Sequence, residues 1–171
     1  MNILQLCIFS NFWNPSNQVT SIDLRLGKDI FSTPPITGSH YDLVCAAPPC
    51  DQFTKANASN WKKTPNHFIM ITAHCINICL HTKSLWFLEN PPGRIEKFFP
   101  ILTNYRIITW RSQISNKEYI VYGNFLCMQP HIKRYSGHKS ISNKSKKQRE
   151  IWTPDFIPFI ESQLTNHFTN S

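Results

Sequence analysis

No two of the six cysteines form a Cys-x-x-Cys pair, which removes the commonest signature of a structural zinc site. No window reaches the ~18 apolar residues that a membrane-spanning helix needs. The apolar run within Met1–Cys7 has no basic segment before it and is too short for a secretory signal. No internal repeat is visible. Charged residues are scarce, at 16% against 41% hydrophobic, a balance that excludes a disordered chain. The expectation is a soluble, intracellular protein with reduced thiols. At 171 residues, 1–171 should form a single compact domain whose core needs neither disulfides nor metal.

Positive charge is present in surplus. The net charge of +8 favours a polyanionic partner, nucleic acid first. Much of it lies in one polar, poorly periodic segment that includes Lys133, Arg134, Lys139, Lys144, Lys146, Lys147 and Arg149. Such a run suits phosphate contacts, which position DNA without reading its sequence and make binding strongly salt dependent. It is also readable as a solvated mobile loop. Cys75 and Cys79, with His74 and His81 nearby, invite a zinc site because four-residue spacing puts both thiols on one helix face. Their surroundings are apolar, so they are assigned to the core.

Several short apolar runs bounded by turn residues predict strands: Ile3–Ile8, Val19–Leu24, Tyr41–Ala46, Ser84–Leu88, Ile107–Trp110 and Tyr119–Tyr122. Gly27–Ile30 reads as a turn into a short extended piece. A helix should start at Pro65, capped by Thr64, and bury Phe68, Ile71, Cys75, Ile78 and Cys79. A second, after Thr153-Pro154, should bury Ile157, Ile160 and Leu164. Strands alternating with a helix predict an α/β domain with a mostly parallel sheet, ending in an antiparallel C-terminal strand pair.

Two strand ends carry chemistry. Pro48 and Pro49 stop a strand, since neither can donate to a sheet ladder, and hold Cys50 on a stiff loop. Open α/β sheets place ligands at that carboxyl edge, where a thiol is well sited as a nucleophile. About 40 residues on, Glu89 follows the next strand and Asn90-Pro91 forces a turn. A carboxylate beside a thiol makes a nucleophile-plus-acid pair.

Ala47-Pro48-Pro49-Cys50 with Phe53-Thr54 resembles the Pro-Cys nucleophile loop of cytosine-5 DNA methyltransferases. Glu89-Asn90-Pro91, followed by Gly93-Arg94, resembles that family's Glu-Asn motif in its short phage-type and bacterial forms. Tyr119 to Asn124 loosely echoes a later Tyr-Gly and aromatic pattern. The resemblance is strong at 42–54 and 86–94. It implies a Rossmann-like S-adenosylmethionine-dependent methyltransferase fold and transfer of methyl to C5 of cytosine in double-stranded DNA. By the same resemblance Cys50 would add to C6 and Glu89 would hold N3 and the exocyclic amine, with the target base flipped out of the duplex. Pro49, Phe53, Thr54, Asn90, Pro91, Arg94 and Arg111 would then line the base or its phosphates, with Lys133 and Arg134 on the DNA backbone. The setting implied is the cytoplasm of a bacterial or phage-infected cell. Self-protection against restriction and host modification fit equally.

The cofactor half departs from the family pattern. The turn after the first strand, Leu6-Cys7-Ile8-Phe9-Ser10-Asn11-Phe12-Trp13, has no glycine, and Phe9 falls where one is expected. Asp23 matches the acid that holds the ribose hydroxyls, and Asp29 would approach the adenine. Leu6, Cys7, Ser10, Trp13 and Pro48 complete the expected S-adenosylmethionine site. No insert resembles a target-recognition domain. Two other readings stay open: a non-catalytic DNA-binding descendant with a degenerate cofactor site, and an enzyme acting on free pyrimidine nucleotides.

Overall fold

Side chains alternate across a strand, so a strand buried on both faces divides its apolar residues between two layers. That division organises the molecule. The computed structural model describes residues 1–8, 13–32, 41–54, 66–112, 117–125 and 154–170. Six strands form one sheet: β1 (Asn2–Leu6), β2 (Gln18–Ile22), β3 (Leu43–Ala46), β4 (Leu85–Asn90), β5 (Arg106–Arg111) and β6 (Glu118–Gly123). Their order is β2-β1-β3-β4-β6-β5. The first four are mutually parallel, and β6 runs antiparallel to both β4 and β5.

Leu4, Leu6, Val44, Ala46, Trp86, Leu88, Ile120 and Tyr122 point to one face. Helix α1 (His67–His81) covers it with Ile71, Cys75, Ile78 and Cys79. Those four recur at helical spacing, and burying each isoleucine contributes about 2 kcal/mol. Ile3, Leu43, Cys45, Phe87, Ile108, Trp110, Tyr119 and Val121 point the other way, onto Phe156, Ile157, Ile160 and Leu164 of α3 (Phe156–Asn170). The arrangement is an α/β fold of mixed, mostly parallel pairing, compatible with a Rossmann-like one.

The strand boundaries depart from expectation in instructive ways. β1 ends at Leu6, not Ile8, because Cys7 takes a left-handed backbone with φ 59°. β2 ends at Ile22, and Asp23 caps a 3-10 turn at Leu24–Leu26 that closes on Gly27 with φ 71°. The extended piece expected next is a second 3-10 turn, Ile30–Ser32. β4 does not stop at Leu88: β6 pairs with it through Glu89↔Val121 and Asn90↔Ile120, so both polar residues lie within the strand. Thr64, Pro65 and Thr153 lie outside the described residues. The described part of α1 begins after Asn66, whose side chain makes no cap bond. A one-turn helix α2 (Ile95–Phe98) and the 3-10 turn Pro100–Tyr105 were not expected; both are too short to show a period.

Asn124 extends the β4–β6 ladder with its side chain. Its Oδ1 accepts from the Trp86 N–H at 2.7 Å and its Nδ2 donates to the Ser84 carbonyl at 3.1 Å. Asn124→Ala orphans a strand N–H beneath Trp86. It is expected to cost about 2 kcal/mol in urea unfolding, and a loss under about 0.5 kcal/mol would contradict this role.

Candidate active site

The chain crosses from β2 over β1 to reach β3, so the sheet order reverses between β1 and β3. A crevice opens at such a switch point beyond the carboxyl ends of the strands. Cys7 follows β1 there, and Pro48-Pro49-Cys50 follows β3. β4 ends in Glu89-Asn90 on the same edge. Because β6 is antiparallel to β4, its start also lies on this edge, bringing Glu118 and the preceding Lys117 to it. Arg111, at the end of β5, pairs in register with Glu118.

Cys50 opens a tight turn. Its carbonyl accepts from the N–H groups of Phe53 (2.8 Å) and Thr54 (2.9 Å). The thiol is half-buried between solvent and core. Burial first, then the negative charges of Glu89 and Asp51, push it up to about 12, while the Lys117 cation pulls it down. At neutral pH the resting group is therefore a neutral thiol, and it ionises only when positive charge or a bound partner offsets the carboxylates. Glu89 itself is buried, 5% exposed.

The two motif loops are joined through main chain. Thr54 and Gly93 form an antiparallel bridge. Arg94 donates its N–H to the Phe53 carbonyl (2.8 Å) and its Nε to the Gln52 carbonyl (3.1 Å). A Cβ on Gly93 would lie 1.8 Å from the Phe53 oxygen, so only glycine permits this approach. Asn90 adds a longer bond, from Nδ2 to the Pro48 carbonyl at 3.4 Å.

These contacts sort the expected site residues. Cys50, Glu89, Pro49, Thr54, Asn90 and Pro91 share one edge. Arg94, expected on base or phosphate, is a rivet between loops, and its guanidinium lies over the Phe98 ring at 4.8 Å. Phe53 is fully buried, edge-on to Phe98 and Phe99 at 5.5 and 6.0 Å, and supports the Cys50 turn from beneath. Arg111 is exposed and paired with Glu118 at 3.6 Å.

On the cofactor side Leu6 and Pro48 are buried, and Cys7 supplies the turn. A left-handed backbone costs a residue with a side chain about 1–2 kcal/mol, so Cys7 makes with strain the bend that glycine makes without it. Asp23 is 7% exposed at the end of β2. Its carboxylate accepts from the Arg25 N–H (2.8 Å), Nε (3.1 Å) and Nη2 (3.2 Å). Asp29 is exposed and accepts from the Phe31 N–H, capping the second 3-10 turn. Trp13 is buried in the layer against α3, 6.5 Å from the Phe87 ring. Ser10, Lys133, Arg134 and the basic run to Arg149 lie outside the described residues.

Two contributors escaped the sequence reading. Lys117 sits just before a strand, and its nearness to Cys50 depends on β6 being inserted beside β4. Gly93 was visible, but its partner, a backbone oxygen about 40 residues earlier, leaves no trace in side-chain identity. The chain matches no protein-family model, and no curated protein is similar to it in sequence.

Proposed function

We propose that the chain is a DNA cytosine-5 methyltransferase with Cys50 as nucleophile and Glu89 as the acid that holds the base. The convergence of these two groups carries the reading: the Glu89 charge acts on the Cys50 thiol at the carboxyl edge of the sheet. Cytosine is not nucleophilic at C5. Attack of the Cys50 sulfur on C6 releases the C5=C6 electron pair toward C5, and Glu89, taking up a proton that it shares with N3 as the base docks, stabilises the charge that develops on the ring. Lys117 offsets the cost of making the thiolate. The base must leave the duplex to reach the turn, and the net positive charge favours that polyanion.

S-adenosylmethionine would supply an electrophilic methyl group to C5. The residues at its expected site fit in part. Asp23 has the position and chemistry to accept ribose hydroxyls, once they replace the hydrogen bonds from Arg25. Cys7 provides the reversal after β1 that brings backbone toward a ligand. A base from solvent would then take the C5 proton, and the freed electron pair would restore the C5=C6 bond and expel the Cys50 thiolate.

Trapping on duplex DNA containing 5-fluorocytosine tests this directly, because fluorine blocks the last elimination. A covalent adduct is expected with wild-type chain and donor, none with Cys50→Ser, and a rate lowered about 100-fold or more with Glu89→Gln. No wild-type adduct in the presence of donor would sink the proposal. Adduct on free nucleotide but not on duplex would shift the substrate class. Absence of donor binding by calorimetry would favour a non-catalytic DNA-binding descendant.

A further inference from the structure

Cys7 and Cys75 face each other across the β1–α1 packing. Their sulfurs are 3.8 Å apart, although 68 positions separate them in sequence. Cys7 is half-buried, whereas Cys75 is fully enclosed. One thiol can thus be reached by a small reagent and the other only through the first. Disulfide formation needs the sulfurs to close to about 2.05 Å, which modest side-chain rotation supplies from van der Waals contact. Cys7 also sits on left-handed backbone just past β1, its N–H still donating to the Ile22 carbonyl at 2.8 Å, so its side chain leaves from the turn that follows the strand.

We propose that Cys7 and Cys75 are a reversible dithiol–disulfide pair, oxidised by low-molecular-weight disulfides such as oxidised glutathione. Cys7 gives up its proton and its sulfur attacks one sulfur of the oxidant. The oxidant's S–S bond breaks, and one thiol leaves with that proton. Cys75 then loses its proton and attacks the Cys7 sulfur, and the second thiol leaves. Two protein thiols are oxidised, and one small disulfide is reduced to two thiols. Burial holds the Cys75 thiol well above the ordinary range, which makes the second step the slow one. The product ties the turn after β1 to α1. Such pairs in reducing compartments are transient sensors and not permanent staples. The bond needs only the two thiols and an oxidant, whatever reaction the neighbouring site performs.

The full chain is incubated across a series of glutathione redox ratios, then digested without reductant for peptide mass spectrometry. The expected product is a Cys7–Cys75 linked peptide lacking two hydrogens, reversed by dithiothreitol. The oxidised chain should melt about 10 °C higher, because closing so long a loop restricts the unfolded state. Cys75→Ala should stop at a glutathione adduct on Cys7, while Cys79→Ala should still form the link. Wild-type chain that keeps the glutathione adduct at oxidising ratios, stays reduced there, or links Cys7 to a different cysteine would overturn the pairing.

Discussion

Gly93→Ala is expected to lose about 3 kcal/mol of stability and about 100-fold in Cys50 reactivity toward its base. The added Cβ would meet the Phe53 carbonyl oxygen at 1.8 Å and its carbon at 2.6 Å. Both are backbone atoms, so no side chain can swing aside to relieve the clash. The strand end bearing Glu89 and the turn bearing Cys50 must separate, which also strips Arg94 of its bond to Phe53. In the proposed reaction, a nucleophile displaced by about 1 Å from its acid accounts for the second loss. Urea unfolding and the 5-fluorocytosine trap read the two effects separately. A variant as stable and as reactive as wild type would show that the bridge does not hold the site.

The second large effect is alkaline unfolding. Burial is the first cause that raises the thiols of Cys45, Cys50, Cys75 and Cys79. In the unfolded chain each returns to about 8.5. Below that pH both states hold their protons and the four thiols impose no pH dependence. Above it the unfolded state ionises while the folded state does not, so stability falls as pH rises. Each thiol contributes a slope of about 1.4 kcal/mol per pH unit, roughly 5 kcal/mol for the four together. Against a typical stability of 5–15 kcal/mol, the fold should collapse within a unit or two, near about pH 10–11. Circular dichroism under reductant should show a steep transition there, and Cys79→Ala should make it shallower. A fold unchanged at pH 12 would mean that these thiols ionise without unfolding.

The sequence made the sheet legible because its inner strands are short, continuous apolar runs such as Leu43–Ala46, and because α1 has a clean apolar stripe. All six strands and both long helices were expected, including the antiparallel β5–β6 pair. What escaped was pairing partner and end point. Nothing local says that β6 inserts between β4 and β5, yet that insertion carries β4 on through Asn90 and brings Lys117 near Cys50. Cys50 and Glu89 were readable as reactive residue types at neighbouring strand ends, and the structure brings them to one edge of the sheet. The roles of Arg94 and Phe53 were not, since a rivet and a buried support look like surface and substrate residues until the two loops are seen together. Asp23 was found for its position, but its bidentate hold on Arg25 depends on a turn too short to carry a period.

The join between the motif loops is lopsided in how it is encoded. On one side it needs a particular absence of side chain at Gly93 and a particular cation at Arg94. On the other it uses only the carbonyl oxygens of Gln52 and Phe53, which every residue type possesses. The two loops are therefore under different constraints as sequences diverge. The contact itself places no demand on the side chain at position 52, which is buried for other reasons, while a single codon change at 93 breaks it. Related chains should keep Gly-Arg after the acidic motif unchanged, while positions 52 and 53 need only side chains that suit their buried setting.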